Sequence, residues 1–152
     1  MNRETDAGGK RVASFLAALG LPLTVLCAAV DASAPEEEKA ELIVYGGTPS
    51  GIMAAIAAAR QGHSVALVEL NAHLGGVVSG GLVATDMGDR KTVGGLADEF
   101  FQRIVKYYAD KYGAGSKEWK ACREGATFEP HVAEIVFEQM VQEQPRIRGA
   151  LR

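Results

Sequence analysis

Six residues that join an apolar stretch to an alanine-rich stretch have the composition of a phosphate-binding turn. The apolar stretch, residues 41–45, predicts a parallel strand buried on both faces, and residues 52–60 predict a helix. The residues between them are Gly46, Gly47, Thr48, Pro49, Ser50 and Gly51. Glycines let the backbone approach a diphosphate, and N–H groups at the start of the helix face its charge. The order therefore predicts a dinucleotide-binding βαβ unit, with Ser50 as the N-cap of its helix.

Two residues of this turn depart from the usual glycine pattern. Gly46 and Gly51 occupy the first and third glycine positions, but Thr48 occupies the second. A threonine side chain limits the approach of the backbone, although its hydroxyl can donate to a phosphate oxygen. Pro49 removes one N–H donor. Both departures make the turn a poorer fit for a generic NAD site.

An acidic residue ends the next predicted strand, residues 64–69. Glu69 follows Gly46 by 23 residues, close to the spacing of about 20 expected for the carboxylate that accepts the ribose hydroxyls. A carboxylate suits this task because it is an acceptor and the ribose offers two donors, whereas a 2′-phosphate would be repelled. By itself Glu69 would be better explained as a solvated strand-end acid. The turn and helix placed upstream favour ribose binding, and the repulsion of a 2′-phosphate by the carboxylate argues against NADP at this site.

A glycine-rich segment follows, with seven glycines from Gly75 to Gly95. It is too apolar for a disordered linker, so it is either a mobile surface loop or backbone pressed against a large planar ligand, where a Cβ would collide. His73 either contacts the cofactor or caps a turn. Asp86 is better explained as a turn former than as a ligand contact.

The second half of the chain predicts two helices with a polar loop between them. Apolar residues recur at helical spacing in residues 96–108, and we interpret their aromatic members as core. Residues 113–126 predict a polar loop, whose Cys122 has no histidine nearby in sequence to activate it. A helix opens at Pro130 and ends before Pro145. Residues 146–152 resemble the start of a further strand.

The first 34 residues have the layout of a secretory signal peptide. Three basic residues precede a stretch without charge at residues 12–30, and the small-residue sequence Ala32-Ser33-Ala34 follows. We therefore predict an exported protein, with residues 1–34 removed and residues 35–40 as an acidic leader. An uncleaved membrane anchor is the alternative, and lipoprotein processing at Cys27 is less favoured because a bulky leucine precedes it.

Composition excludes several function classes. The 152 residues are 47% hydrophobic with a net charge of −3, and no basic patch indicates nucleic-acid binding. The two cysteines, Cys27 and Cys122, have no neighbours that would form a disulfide framework or a metal site. Any interaction with a membrane would involve the N-terminal segment, and the partner we expect is a small-molecule substrate whose identity the sequence does not give.

Taken together, these motifs resemble the N-terminal part of the bacterial FAD-dependent oxidoreductases. More narrowly, the chain is similar to the group of flavoproteins related to the flavin-binding component of heterodisulfide reductase. The similarity covers about residues 41–150. The most specific feature is the pair Gly75-Gly76 soon after the ribose acid. The residues that carry the resemblance are 44–51, Glu69, 73–76, 80–82, 85–86, 94–96 and 128–131.

The resemblance implies a Rossmann-like α/β domain with a parallel sheet, of the two-dinucleotide-binding-domain flavoprotein type, and FAD as its cofactor. The turn from Gly46 to Gly51 would hold the pyrophosphate and Glu69 the ribose, while Gly75 and Gly76 would lie along the cofactor toward the flavin. Some relatives also carry iron–sulfur clusters, but such a cluster normally needs four thiolates and the chain has two cysteines in all. No catalytic residue and no metal ligand can be assigned.

The proteins that this chain resembles are several times longer. In them, a distal segment completes the sheet. We therefore expect residues 41–152 to be the N-terminal part of an FAD-binding domain, incomplete at its C-terminus. On their own, residues 35–152 should be marginally stable, bind FAD weakly or not at all, and lack activity. The function expected is the FAD-binding portion of an oxidoreductase. The alternatives are an NAD-type Rossmann reductase domain and an inactive, truncated secreted fragment.

Overall fold

The computed structural model describes residues 39–151. The predicted signal peptide, residues 1–34, and most of the acidic leader lie outside the described residues. Three parallel strands form one sheet in the order β1-β2-β3. They are β1 (Leu42–Tyr45), β2 (Val65–Glu69) and β3 (Ile147–Leu151).

The register places Val44 beside Leu67 and Leu67 beside Gly149. The α/β class and the parallel sheet are therefore confirmed. The strand predicted to begin near residue 146 pairs with β2 along its whole length.

Within residues 39–151, five α-helices connect and cover the strands. They are α1 (Pro49–Arg60), α2 (Gly76–Ser79), α3 (Gly95–Tyr112), α4 (Lys117–Ala121) and α5 (Pro130–Gln142), with 3₁₀ turns at Arg90–Thr92 and Arg123–Gly125. The prediction of a polar loop over residues 113–126 was wrong in part, because α4 and a 3₁₀ turn lie within it. Ser116 caps α4 by accepting a hydrogen bond from the N–H of Trp119 at 3.1 Å.

The core lies between one face of the sheet and helices α1, α3 and α5. Val65 and Leu67 of β2 are buried on this face. Phe100 of α3 stacks on Phe137 of α5 with ring centroids 4.4 Å apart. The aromatic residues of α3 are therefore packing residues, as their helical spacing predicts.

Strand β1 does not have the burial that the sequence predicts. Ile43 and Tyr45 are 71% and 72% exposed. Among the described strands only β2 pairs with β1, and the described helices pack on the opposite face of the sheet from these two side chains. The composition of the strand suits two buried faces, but burial depends on what packs against a strand, and no described element covers this face.

An ion-pair network ties α1, α3 and α5 together on the surface. Glu99 of α3 accepts hydrogen bonds from Arg60 at 2.7 and 2.9 Å and from Arg103 at 2.7 Å. Arg103 also donates two bonds of 2.6 Å to Glu143. The hydrogen bonds from Arg60, and then those from Arg103, lower the pKa of Glu99 from 4.5 to about 2. The two guanidiniums therefore favour the ionised carboxylate.

We expect Glu99→Gln to lower the free energy of unfolding by about 1 kcal/mol at neutral pH. Because folding lowers the pKa of Glu99, its contribution is present above pH 4.5 and is lost as the pH falls toward 2. Urea unfolding of the wild type and Glu99→Gln across this range measures both effects.

Asp110→Asn is the matched control for the network. Asp110 pairs with Lys106 on the same helix, but these side chains are 63% and 72% exposed. Its removal should cost less than about 0.5 kcal/mol. Equal losses for the two variants, or an unchanged acid slope in Glu99→Gln, would contradict a stabilising role of the network.

Candidate cofactor-binding site

The glycine turn joins the carboxyl end of β1 to the first residue of α1. Gly46 has a φ of 107°, a conformation that favours glycine, and its N–H bonds to the carbonyl of Val68 at 2.8 Å. Thr48, not Ser50, is the N-cap of α1, and its hydroxyl accepts the N–H of Gly51 at 3.2 Å. The predicted cap was wrong by two residues because Pro49 is the first residue of the helix, a position that suits proline.

Close contacts restrict two of the glycines in the turn, and at Gly51 the contact is with backbone. A Cβ on Gly51 would lie 2.1 Å from the carbonyl oxygen of Gly46, well inside van der Waals contact. A Cβ on Gly47 would lie 2.6 Å from Cδ2 of Leu74. The turn is therefore folded tightly on itself and against the segment that follows β2.

Three of the N–H groups in the turn have partners within the described chain. The N–H groups of Gly46, Gly47 and Gly51 are bonded to Val68, Glu69 and Thr48. Pro49 has no N–H, but at the first helical position that donor would have no partner inside the helix.

The N–H groups of Thr48 and Ser50 have no partner among residues 39–151, and their hydroxyl oxygens lie 3.2 Å apart. No acidic residue stands in the first turn of α1. These donors at a helix N-terminus fit a diphosphate.

Glu69 lies at the carboxyl end of β2 and faces the turn. Its Oε2 accepts the N–H of Gly47 at 2.7 Å, while Oε1 accepts the N–H and the Nδ2 of Asn71 at 2.8 and 2.9 Å. The hydrogen bond from the backbone of Asn71, followed by that from Gly47, lowers the pKa of Glu69. A carboxylate has about four acceptor positions, and three are in use here. Accepting both ribose hydroxyls therefore requires the amide of Asn71 to move.

Gly75 and Gly76 lie on the other side of the turn. The N–H of Gly75 bonds to the carbonyl of Gly47 at 2.7 Å, and a Cβ on Gly75 would lie 2.8 Å from the ring of Phe137. A Cβ on Gly76 would lie 3.6 Å from Cγ2 of Thr48. The structure therefore brings all nine predicted cofactor-binding residues together at the carboxyl edge of β1 and β2.

Two residues at this edge were missed by the sequence reasoning. The side-chain amide of Asn71 donates a hydrogen bond to the carboxylate of Glu69. A carboxylate oxygen of Glu134, on α5, lies 2.7 Å from Nδ1 of His73. Asn71 is a short polar residue two positions beyond Glu69, and that spacing could have indicated the contact. Glu134 is 61 residues from His73, and no local pattern indicates their contact.

A separate cleft of about 470 Å³ lies beyond the glycine-rich segment. Asp86 lines it together with Arg90 and Arg123, and it does not lie in a turn, so the prediction of a turn former was wrong. Arg123 and the next residue, Glu124, have positive φ angles of 46° and 56°. The buried thiol of Cys122 bonds the carbonyl of Trp119 at 3.0 Å.

Within residues 39–151, no group of three or more His, Cys, Asp or Glu side chains is arranged to hold a metal ion. In the same part of the chain, no helix has the length and hydropathy needed to cross a membrane.

Comparison with known proteins relates this fold and site to known sequences and structures. No curated protein matches the sequence. Among solved structures, THI4 from Thermovibrio ammonificans is 18% identical with a TM-score of 0.39, over 72% of this chain and 38% of its own. The HOCl-induced flavoprotein disulfide reductase RclA from Escherichia coli, solved as a Cu(II) complex, is 14% identical with a TM-score of 0.35, over 74% and 21%. The chain thus spans well under half the length of either protein.

The family model of the FAD dependent oxidoreductases matches residues 41–151. This range covers all three strands, the glycine turn and Glu69. The turn and the carboxylate fit the diphosphate and the ribose of the cofactor that this family uses. The chain therefore belongs to the family of FAD-dependent oxidoreductases.

Proposed function

We propose that residues 41–151 form the FAD-binding part of an oxidoreductase that transfers a hydride or electrons through flavin. The observation that carries the proposal is the pairing of the glycine turn with Glu69 through the 2.7 Å hydrogen bond from Gly47. Bound flavin supplies the redox chemistry, and the protein supplies binding, orientation and electrostatics.

Each part of the site has a distinct binding role in this proposal. The free N–H groups of Thr48 and Ser50, with their hydroxyls, hold the diphosphate. Glu69 accepts from the adenosine ribose. The backbone at Gly75 and Gly76 follows the cofactor toward the flavin, where the lack of a Cβ permits close approach.

The finer assignment is to the group related to the flavin-binding component of heterodisulfide reductase. The order of its motifs supports this, above all Gly75-Gly76 six and seven residues after Glu69. An iron–sulfur cluster is not part of the proposal. Cys122 is the one cysteine of the described chain, and it is buried with its thiol bonded to a carbonyl.

We further propose that the protein is exported and that the described sheet is part of a larger one. The signal-peptide layout of residues 1–34 supports export, and a membrane would be contacted only through that segment if it is not cleaved. The edge of β1 that no described strand pairs with supports a sheet that continues beyond it, and the exposure of Ile43 and Tyr45 supports a further element on that face. The substrate is a small molecule, and the net charge of −3 does not favour a nucleic-acid partner.

A titration of the full chain with FAD and with NAD⁺ tests the cofactor. Because we propose that the described sheet is part of a larger one, we expect weak binding of FAD, with a Kd between about 10 μM and 1 mM. We expect NAD⁺ to bind at least about tenfold more weakly, since it lacks the larger apolar ring system of flavin. Flavin fluorescence measures the binding of FAD. Displacement of FAD by NAD⁺ measures the binding of NAD⁺.

Tighter binding of NAD⁺ than of FAD would favour the alternative of an NAD-type Rossmann reductase domain. Absence of FAD binding up to about 1 mM by a chain that unfolds cooperatively would overturn the proposed function and favour an inactive fragment.

A further inference from the structure

The side chain of Asn71 occupies one of the hydrogen-bonding positions of Glu69. Its Nδ2 lies 2.9 Å from Oε1 of Glu69, and the same oxygen accepts the main-chain N–H of Asn71 at 2.8 Å. Because an ionised carboxylate can only accept, the amide must present its NH₂ group to Glu69 and not its oxygen. A carboxylate oxygen has about two acceptor positions, so Asn71 occupies Oε1 fully.

The other oxygen of Glu69 has one acceptor position left. Oε2 accepts the N–H of Gly47 at 2.7 Å, and this bond belongs to the folded turn. One ribose hydroxyl can therefore donate to Oε2 while every bond of the described structure is kept. A second hydroxyl needs a position on Oε1. Of the two bonds that Oε1 accepts, only the one from the side chain of Asn71 can be released without a change of the main chain.

The surroundings of Asn71 allow its side chain to rotate. The residue is exposed, and it lines a cleft of about 710 Å³ between the segment that follows β2 and the N-terminal end of α5. Within residues 39–151, the bond to Glu69 is the one hydrogen bond that its carboxamide makes. Rotation about the Cα–Cβ bond to another staggered position therefore breaks a single hydrogen bond and disturbs no buried side chain.

We infer that Asn71 is a specificity-determining residue of the ribose site, because it closes Oε1 of Glu69 until a ribose with two hydroxyls displaces its amide. This rests on the proposed function and deepens it, since it states which nucleotides gain from the carboxylate. The ligand class is an adenosine diphosphate ester with a 2′,3′-diol. A 2′-deoxyribose uses Oε2 alone and leaves the amide in place. For the diol, the second bond to Glu69 replaces the bond from Asn71, so the net gain from the 2′-hydroxyl is small.

The test is the affinity of the full chain for ADP and for 2′-deoxy-ADP, each measured by displacement of FAD. In the wild type the two Kd values should differ by less than about threefold, because one charge-assisted hydrogen bond is exchanged for another. In Asn71→Ala, Oε1 keeps its main-chain bond and gains an open position. ADP should then bind about tenfold more tightly than 2′-deoxy-ADP, since the bond to the charged acceptor is no longer offset. The affinity for 2′-deoxy-ADP should be the same in both proteins.

Gln61→Ala is the matched control. Gln61 also has a carboxamide with one hydrogen bond, from Nε2 to the carbonyl of Ala57 at 3.2 Å, but it lies at the C-terminal end of α1, away from the glycine turn. This variant should keep the wild-type ratio of the two affinities.

The side-chain NH₂ signals of Asn71 give a second measurement that needs no variant. They should shift when ADP binds and change little when 2′-deoxy-ADP binds. Equal affinity ratios in the wild type and Asn71→Ala, or weaker binding of ADP by Asn71→Ala, would overturn this role of Asn71 while leaving nucleotide binding intact. A folded chain that binds neither FAD nor either nucleotide would instead overturn the proposed function, and the role of Asn71 with it.

Discussion

Replacement of Gly51 by alanine is expected to reduce FAD affinity by at least about tenfold and to destabilise the fold by about 1–3 kcal/mol. Gly51 lies in the first turn of α1, where alanine would ordinarily be the better helix former. The substitution nevertheless places a Cβ 2.1 Å from the carbonyl oxygen of Gly46. Either the start of the helix or the end of β1 must then move, and both carry the donors that face the diphosphate.

Gly94→Ala is the matched control for this effect. Gly94 is the N-cap of α3, has a φ of −140°, and a Cβ there would meet no atom within 4 Å. Because alanine is a poorer N-cap than glycine, its replacement should cost about 0.5–1 kcal/mol, and it should leave FAD binding unchanged. Urea unfolding measures the stability of both variants, and flavin fluorescence measures their affinity for FAD. Wild-type affinity and stability in Gly51→Ala would show that the turn is not folded as described.

Replacement of Glu69 by glutamine is expected to weaken FAD binding by about tenfold, because hydrogen bonds to a charged acceptor are the stronger ones. Glutamine keeps the length of the side chain but replaces one acceptor oxygen with a donor. The new NH₂ group would therefore face another donor, either the N–H of Gly47 or an N–H of Asn71. The carboxylate accepts hydrogen bonds of 2.7 to 2.9 Å from these groups. The loss should appear for FAD and for ADP, and be absent for riboflavin, which has no adenosine ribose.

Glu41→Gln is the control that separates the site from general stability. Glu41 also accepts a main-chain N–H, that of Ser64 at 2.8 Å, and its pKa is lowered chiefly by that bond. It lies at the amino end of the sheet, away from the glycine turn. Equal losses of FAD affinity in the two variants would contradict ribose binding by Glu69.

The site could be predicted from the sequence because its chemistry is local. Gly46 to Gly51, Glu69 and Gly75 lie within 30 residues, and their order along a βαβ unit fixes which edge of the sheet they share. The error at the N-cap was small because Thr48 and Ser50 are both good caps, and the first-turn preference of Pro49 decided between them.

Two of the features that the sequence did not predict depend on distant contacts, and a third is too short to give a pattern. The exposure of β1 depends on which elements pair with it and cover it, and the residues of β1 alone do not indicate these elements. The contact of His73 with Glu134 joins a loop to a helix 61 residues away. The short helix α4 has only five residues, and a polar segment of that length gives little periodicity to detect.

The central claim is that the turn from Gly46 to Gly51 binds the diphosphate of FAD, and amide NMR of the full chain during an FAD titration tests it most directly. We predict that the amides of Thr48 and Ser50, which have no partner among residues 39–151, shift most on binding. The amides of Gly47 and Asn71, which bond to Glu69, should shift with them. Shifts confined to the cleft of Arg90 and Arg123, with unchanged signals at Thr48 and Ser50, would contradict the claim.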